Sequence, residues 1–442
     1  MRNIRFYKTD AAFKAYEQGA GGTGNDVEAM VPGIVKTADL KKMYFNPHDK
    51  TVQLHTLTIY YENSKGEQLA ECKTMRIKYI PGVNQEIVVT PKNIDGYIAK
   101  EEKIIANIPE DTSIVFRYKL KLDYNKPLTF NIISAGTIYW KMQTISSSYE
   151  KTIEYRKNGG EWTSITSYGG TPSPNISVNA GDVVEFRGDN PTYCPANGFS
   201  YRSTFDSSTA VFEVDGNIMS LIDSTNFATA TTLVSSYTFY YLFYNCTGLT
   251  SAENLVLPAT TLASSCYQAM FLGCASLTMA PELPATTLAD SCYVGMFEGC
   301  TNLTTAPELP ATTLAERCYQ TMFVVCTSLT TAPELPAATL ANYCYQSMFR
   351  GCTSLTTAPE LPATTLAVGC YNSMFAGCTL LNYIKCLATK ISAIGCTRQW
   401  VNGVASTGIF VKDVNMSSWT RGTNGIPNGW TVQDDPNIPA VA

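Results

Sequence analysis

Five consecutive copies of a 26-residue sequence fill the region from Leu257 to Tyr383. A fixed period of this length is typical of a solenoid, because one unit of that size cannot bury its apolar face alone and stacks on its neighbours to do so. The repeat therefore predicts a long stack of similar units. The copies begin at Leu257, Leu283, Leu309, Leu335 and Leu361.

The first part of each unit carries an apolar stripe that predicts an amphipathic helix. In the first copy the stripe residues recur four positions apart, which places them on one helix face, and the helix is expected to end near Gly273. Pro281 and Pro284 exclude a second helix in the remainder of the unit. One unit is therefore predicted to be a helix, a turn, a short extended segment and a turn. The stripe residues of the first copy are Leu262, Cys266, Tyr267, Met270, Phe271 and Cys274.

Length and composition predict a globular protein with several domains. The chain has 442 residues, of which 45% are hydrophobic and 16% are charged. A net charge of -5 without a Lys/Arg cluster excludes nucleic acid as an expected partner. No apolar run is long enough to cross a bilayer, so membrane insertion is not expected. The basic residues near Met1 are not followed by an apolar segment, so no signal peptide is visible.

Ten of the fifteen cysteines are paired positions of the repeat. If the stripe is helical, the two members of a pair lie about 12 Å apart and equivalent cysteines on packed helices lie about 8 to 10 Å apart. Both separations exceed the Cα distance that suits a disulfide. These cysteines are therefore interpreted as free buried thiols that pack as small apolar groups, with a metal or disulfide role as the alternative. The pairs are Cys266/Cys274, Cys292/Cys300, Cys318/Cys326, Cys344/Cys352 and Cys370/Cys378.

Residues 1–125 are predicted to form an N-terminal arm and a small antiparallel β domain. The arm contains a possible helical stretch at Ala11–Glu17 and a glycine-rich loop at Gly19–Gly24, and it is either an anchoring arm or a mobile terminus. Segments of alternating apolar and polar residues, separated by turn formers, predict the strands that follow. The predicted strands are Thr51–Tyr61, Met75–Ile80, Glu86–Thr90 and Ser113–Leu120.

Residues 126–220 are predicted to form a β-sandwich. Short alternating segments recur with turn signals between them at the spacing typical of that fold. Trp140 and Trp162 within it either fill the core or stack on a sugar ring. The predicted strands are Leu128–Ile133, Thr137–Met142, Thr152–Arg156, Trp162–Tyr168, Val183–Phe186 and Ala210–Val214.

The predicted solenoid occupies residues 221–384 and begins before its regular copies. Tyr240–Leu249 matches the later units imperfectly and is interpreted as a degenerate first unit, as terminal units usually are. Residues 385–442, which carry Trp400, Trp419 and Trp430, are expected to cap the last unit.

The order Cys-Tyr-x-x-Met-Phe-x-Gly-Cys-Thr-Ser-Leu-Thr-Thr-Ala-Pro-Glu-Leu-Pro at Cys344–Pro362 resembles the BspA-like class of leucine-rich repeat. The resemblance covers about residues 238–400, although the units are longer and place an alanine-proline where that family usually has isoleucine. It implies an α/β leucine-rich-repeat solenoid. It also implies a role in adhesion or in recognition of proteins and surfaces.

The overall layout is similar to virion proteins of phages that infect gut Bacteroidales, including crAss-like phages. This resemblance rests on the domain order and on the phrases Phe6–Asp10 and Met43–Pro47. It implies a fibre or decoration protein in the virion. Such a protein is expected to form a homo-oligomer and to attach to other capsid or tail proteins through its N-terminal domain. The solenoid is then expected to contact a host surface protein or glycan, or a neighbouring subunit.

The sequence does not nominate catalytic chemistry. Its two histidines, His48 and His55, lie outside the repeats, which excludes a histidine-based triad or metal site within the solenoid. No stretch nominates the pair of facing carboxylates that a glycosidase needs. The protein is therefore predicted to be non-enzymatic, without cofactor or metal. A bacterial BspA-like adhesin and a glycan-processing enzyme are the alternative functions.

The outward positions of the predicted helices differ between units while the apolar stripe is nearly constant. Such variation is expected of a solvated face, and it is also expected of a recognition surface on a constant scaffold. The candidate recognition residues are Gln268, Asp290, Glu298, Glu316, Arg317, Gln320, Asn342, Gln346, Arg350 and Asn372.

The extended segments carry one glutamate each, in register. Stacked units place these like charges in a column, which is destabilising unless it is compensated. The column is therefore expected to extend into water, to hold cations, or to contact basic groups of a partner. Its members, also candidate recognition residues, are Glu282, Glu308, Glu334 and Glu360.

Overall fold

A computed structural model describes residues 6–7, 53–63, 66–79, 86–143, 150–168, 175–193, 202–206, 208–416 and 419–439. The predicted helical stretch at Ala11–Glu17, the glycine-rich loop, His48 and Met43–Pro47 lie outside these residues. The chain divides into two compact units, residues 1–121 and 122–442. The divisions predicted at residues 220 and 384 fall within the second unit.

The first unit is a mixed β domain. Its main sheet has the strand order β1-β3-β2-β7-β5, and β4 pairs with β6 beside it. Leu57, Ile59 and Phe116 lie in the core because alternate residues of β2 and β7 face inward. The strands are β1 (Phe6–Tyr7), β2 (Gln53–Asn63), β3 (Lys73–Tyr79), β4 (Glu86–Val89), β5 (Tyr97–Ala99), β6 (Ile104–Asn107) and β7 (Thr112–Leu120).

The strands predicted in this unit are present, but the expectation of a purely antiparallel sheet is wrong. Strands β2 and β7 are parallel, from Leu57 opposite Thr112 to Asn63 opposite Tyr118. The chain forms β3 to β6 between them, and a connection of that length permits a parallel crossover that a tight hairpin would not.

The second unit begins with β-strands in the region predicted to be a β-sandwich, and we call this region the sandwich for its predicted fold; its strands form one six-stranded sheet and two two-stranded pairs. Its main sheet has the order β12-β11-β14-β8-β16-β17, and the smaller pairs are β9-β13 and β10-β15. Two short 3-10 turns follow at Ile218–Leu221 and Phe227–Thr229. The strands are β8 (Leu128–Ser134), β9 (Gly136–Ile138), β10 (Lys141–Gln143), β11 (Glu150–Lys157), β12 (Thr163–Tyr168), β13 (Ile176–Val178), β14 (Val183–Arg187), β15 (Arg202–Thr204), β16 (Val211–Asn217) and β17 (Leu249–Val256).

The two tryptophans of this region have different surroundings. Trp140 is fully buried between β9 and β10, and its Nε1 donates a hydrogen bond to the Tyr193 hydroxyl at 2.6 Å. It therefore fills the core and cannot stack on a sugar. Trp162 is half-buried, with the guanidinium carbons of Arg156 and Arg187 at 4.8 and 4.1 Å from its ring centre.

The prediction of an α/β leucine-rich-repeat solenoid is wrong. The described chain is 33% strand and 2% helical, and it contains no α-helix. Each predicted helix is instead a run of consecutive turns, which we call the turn segment. It comprises residues 262–276 in the first copy of the repeat and the equivalent residues in the other copies. Within it every second N–H bonds back three residues, as Met270 does to Tyr267 at 3.2 Å. The alternate N–H groups bond to the next unit, as Phe271 does to Met296 at 2.9 Å.

The distance between units explains why a helix does not form. The rings of Phe271 and Phe297, which are equivalent in successive units, stack with centres 5.4 Å apart. Packed helices need an axis separation of about 8 to 10 Å, so helices at this pitch would overlap. A chain of turns fits because it can hydrogen-bond laterally to its neighbours, and each unit is therefore one flat coil of a solenoid.

The extended segments of successive coils join through short parallel pairings. Isolated bridges link Ser251 to Met279, Met279 to Thr305, and Thr305 to Thr331. This series starts at β17, so it continues the sandwich sheet along the solenoid. It ends in a parallel sheet of order β18-β19-β20, formed by β18 (Tyr383–Cys386), β19 (Ile409–Lys412) and β20 (Thr431–Asp434).

One apolar core runs through the whole second unit. Phe243 of the first, degenerate coil contacts Phe130 and Phe205 of the sandwich, at 6.0 and 5.9 Å between ring centres. At the other end Trp400 stacks on Tyr371 at 6.1 Å and on Trp419 at 5.7 Å. The apolar core is therefore continuous through the sandwich, the solenoid and the cap.

No helix of the described chain is long and apolar enough to cross a membrane.

Candidate functional site

The outward positions of the turn segments form one surface, which we call the turn face. Its rows follow the solenoid axis, because N–H groups of each regular coil bond to carbonyl groups 25 residues later, in the next coil, at similar distances. The structure thus brings the predicted candidates of the turn segments onto one surface, although no helix presents them. The rows are Asp290, Glu316 and Asn342; then Gln268, Gln320, Gln346 and Asn372; then Glu298 and Arg350.

Some of these polar side chains join neighbouring coils. The Gln320 amide donates to Gln346 at 2.8 Å, and the Asp290 carboxylate accepts the backbone N–H of Glu316 at 3.1 Å. The Asn342 amide oxygen accepts the N–H of Val368 at 3.2 Å. These residues therefore hold the turn face in shape as well as lining it.

Arg317 and Tyr343 form a contact across two coils. The guanidinium carbon of Arg317 lies 4.9 Å from the centre of the Tyr343 ring, and Arg317 also pairs with Glu316. Gly369 makes room for the ring, because a Cβ there would lie 2.4 Å from Tyr343 ring atoms. Three successive coils thus cooperate to place this pair on the turn face.

Every fourth residue of a turn segment adopts a left-handed backbone conformation. Glycine adopts it without strain, and Gly273, Gly299, Gly351 and Gly377 share one such position. In the middle coil the same position is Val325, with φ of 59° and 42% of its surface exposed. A β-branched residue is a genuine outlier there. Val325 escaped sequence reasoning, although the glycines at the equivalent positions of the other units were a signal for it.

The first, degenerate coil presents Tyr241 where later coils have small residues, and it presents Tyr237 at the position that Arg317 and Tyr343 occupy. Tyr237 and Tyr241 are half-buried and left-handed, each with φ of 58°. Tyr241 contacts Tyr240 and Tyr244 edge to face, at 4.2 and 4.9 Å between ring centres. This aromatic cluster was also missed, because the coil was interpreted as a degenerate copy.

Glu298 and Arg350 flank the buried Val324 in one row of the turn face. Glu298 is half-buried, and this burial raises the pKa of its carboxyl against the opposing effect of the Arg350 charge. Neither side chain makes an ion pair within the described chain. Both side chains reach the surface of the turn face, the carboxylate half-buried and the guanidinium exposed.

The four glutamates of the extended segments are exposed, and the column ends at a lysine. Lys385 occupies the equivalent position in the next coil, and its Nζ lies 3.1 Å from a carboxylate oxygen of Glu360. Within the described residues, no group of three or more His, Cys, Asp or Glu side chains is placed to hold a metal ion. The terminal glutamate is therefore compensated by the chain itself.

The described cysteines are free thiols, and all but Cys72 are buried. The second cysteine of each pair has a specific partner, as shown by Cys300, whose Sγ lies 3.2 Å from the Phe271 carbonyl of the preceding coil. Burial raises the pKa of Cys266, Cys318 and Cys370 to about 12. These thiols pack and donate weak hydrogen bonds, and thiolate chemistry is suppressed.

His55, the histidine that lies within the described residues, contacts neighbouring side chains of the first unit. His55 lies in β2, where its ring contacts Tyr79 edge to face at 5.3 Å and its Nε2 lies 3.2 Å from the Gln53 side chain.

Together these features define a class by architecture: a solenoid of stacked turn segments whose sheet and core continue from a six-stranded β-sheet. No protein-family model matches the chain, and neither the curated proteins nor the solved structures include a match.

Proposed function

We propose that this is a non-enzymatic structural and recognition protein that binds a protein or surface through its turn face. The observation that carries the proposal is the contrast between core and surface within each coil. Cys292, Tyr293, Met296 and Phe297 recur almost unchanged in every regular coil and are buried, whereas the outward residues between them differ in charge and size. A constant scaffold under a varied surface is suited to specific binding.

Strain on the turn face supports the same conclusion. Arg317, Val325 and Tyr343 adopt left-handed conformations that cost about 1 to 2 kcal/mol each in residues with a Cβ. Arg317 gains a contact with the Tyr343 ring and an ion pair with Glu316, whereas Val325 is 42% exposed and has less packing to offset that cost. Strained exposed residues are commonly retained at binding sites, where a partner supplies the compensation.

The narrower proposal is that the protein is a fibre or decoration component of a phage particle. In this assignment the first unit attaches to capsid or tail proteins and the solenoid contacts the host surface or neighbouring subunits. Mass spectrometry of purified virions tests it directly, with peptides of this chain expected at constant stoichiometry. Detection on uninfected bacterial cells and never in particles would favour the adhesin instead.

The recognition proposal is tested by binding of the fluorescently labelled full chain to intact cells of the bacterium from which the particles are produced. Arg317→Ala and Tyr343→Ala are expected to reduce binding at least about fivefold, as interface Arg and Tyr residues commonly do. Thr304→Ala, at an exposed residue of an extended segment, is the matched control and is expected to bind normally. Equal binding by all variants would contradict a role for the turn face. Truncation is unsuitable, since the core is continuous from sandwich to cap.

A further inference from the structure

The row that contains Glu298 and Arg350 is self-complementary. Along the solenoid it reads Leu272, Glu298, Val324, Arg350 and Ala376, one residue from each regular coil. When the row is reversed about Val324, Glu298 and Arg350 exchange places, and so do the apolar residues Leu272 and Ala376. Such a pattern pairs with a reversed copy of itself.

Backbone hydrogen bonds of nearly equal length join the successive coils of this row. The carbonyl groups of Glu298, Val324, Arg350 and Ala376 each accept an N–H from the preceding coil, at 2.7, 2.8, 2.8 and 2.8 Å. Glu298 and Arg350 therefore each lie one coil away from Val324, on opposite sides of it, as a two-fold axis through Val324 requires.

An apolar protrusion lies at the centre of the pattern. Val325 follows Val324 and is 42% exposed, while the equivalent positions of the adjacent coils are Gly299 and Gly351. The centre thus carries an exposed valine between two positions without side chains. An exposed apolar group with polar surroundings is typical of the middle of a protein interface.

We propose that two copies of this chain associate through their turn faces, antiparallel, about a two-fold axis at Val324 and Val325. In this pairing Glu298 of each copy faces Arg350 of the other, and the two Val325 side chains meet at the axis. A closed two-fold interface uses the same patch on both subunits, and this row has the necessary symmetry. The proposal rests on the proposed function, because it names the partner of the turn face.

The flanking rows are compatible with this arrangement. A two-fold axis through Val324 places Gln320 opposite Ser328 and Gln346 opposite Asn302 of the second copy, and all four are uncharged. A parallel pairing in register would instead place Glu298 against Glu298 and Arg350 against Arg350, which is unfavourable. Charge therefore selects the antiparallel arrangement.

Sedimentation velocity of the full chain over a concentration series tests the pairing by charge exchange. Glu298→Arg and Arg350→Glu are each expected to weaken self-association at least about tenfold, because each change creates two like-charge contacts. The double variant E298R/R350E restores opposite charges across the axis, and it is expected to associate like the unmodified chain. Glu161→Arg makes the same change at an exposed residue before β12, away from the turn face, and is the matched control.

Cysteine cross-linking tests the position of the axis. In a C72S background, which removes the exposed described thiol, Val325→Cys places two thiols at the axis. Mild oxidation is expected to give a dimer linked through residue 325, because disulfides need Cα atoms within about 7 Å. Thr330→Cys, an exposed residue of an extended segment, is expected to give no such dimer.

The outcomes separate this inference from the proposed function. A monomeric unmodified chain, unaltered association in both single variants, or failure of the double variant to recover each overturns the antiparallel dimer. If Arg317→Ala loses cell binding while the chain is monomeric, the recognition function stands and the dimer is wrong. If the charge exchange succeeds while the chain neither binds cells nor occurs in virions, the dimer stands and the proposed function is wrong.

Discussion

Lys385 takes the place of a glutamate, and its Nζ lies 3.1 Å from Glu360 in the preceding coil and 2.9 Å from Asp435 in the cap. Asp435 is 4% exposed, and it also accepts the backbone N–H of Asn437 at 3.0 Å. One ammonium group thus ends the glutamate column and fastens the segment after β20 to the last coil. The same contact makes the stability of the cap depend on pH.

Lys385→Met is expected to destabilise the cap at neutral pH and to have little effect in acid. Hydrogen bonding from Lys385 is the main cause that lowers the pKa of Asp435 below its ordinary value of 3.8. The stabilisation is therefore present above that value and lost as pH falls through the lower folded pKa. Thermal melting of both proteins between pH 7 and pH 2 measures the difference.

Lys412→Met is the comparison for this experiment. Lys412 pairs with Asp434, whose side chain is 53% exposed, so its removal is expected to change the melting temperature much less. A loss of stability in Lys385→Met that stays the same at pH 2 would contradict the assigned role of Asp435.

The repeat cysteines are expected to resist alkylation in the folded protein. Their burial and, in Cys266, Cys318 and Cys370, a pKa of about 12 leave almost no accessible thiolate at pH 8. Iodoacetamide treatment followed by peptide mass spectrometry should label Cys72 in the native state and all thiols after denaturation. Rapid native labelling of the repeat thiols would contradict the tight stacking of the coils.

Phe297→Ala is expected to reduce the free energy of unfolding of the second unit by about 3 to 5 kcal/mol, as other buried Phe→Ala changes do. The ring is fully buried and stacks on Phe271 and Phe323 at 5.4 and 5.7 Å. Thr304→Ala changes an exposed residue of the same coil and is expected to alter the free energy of unfolding by no more than about 0.5 kcal/mol. Chemical denaturation monitored by tryptophan fluorescence compares the two variants.

Val325→Gly is expected to stabilise the isolated chain while it weakens self-association. Relief of the left-handed strain gains about 1 to 2 kcal/mol, and the flexibility of glycine costs about 0.5 to 1 kcal/mol, so the net gain is about 1 kcal/mol or less. The measurement is denaturant unfolding at protein concentrations where the unmodified chain is monomeric.

Val324→Gly, at the neighbouring position, is expected to lower the stability that Val325→Gly raises. Val324 is 5% exposed, so its removal is expected to destabilise the coil. A destabilised Val325→Gly variant would show that Val325 serves packing in the single chain, and strain would then no longer support a binding role.

The longer β-strands of both units were predictable because their signal is local, whereas β1, β5, β6, β13, β15 and β17 to β20 were not predicted. In β11 and β14 the inward residues Ile153, Val184 and Phe186 alternate with polar residues, and this alternation is present in the sequence whatever the strands pair with. Pairing itself depends on distant segments. The parallel contact of β2 with β7 and the addition of β17 to the sandwich sheet were therefore not predictable from local pattern.

The turn segments show how one pattern can fit two structures. Buried residues at Cys266, Met270 and Cys274 recur every four positions, which fits one side of a helix over a short distance. A helix has 3.6 residues per turn, so a strict period of four drifts by about 40° at each step. A run of turns repeats every four residues without drift, and small residues at Ser265, Ala269 and Gly273, where φ is positive, also favour turns.

The sequence by itself determined the period of the solenoid, the residues that face its core and the position of the varied surface. These follow from residue polarity at fixed spacing, which is independent of backbone conformation. The tertiary structure decided the conformation, because N–H groups such as that of Phe271 bond to the next coil and so cannot bond within a helix. It also decided which charges meet, since Lys385 reaches Glu360 and Asp435, and Glu298 aligns with Arg350, through the stacking of coils distant in sequence.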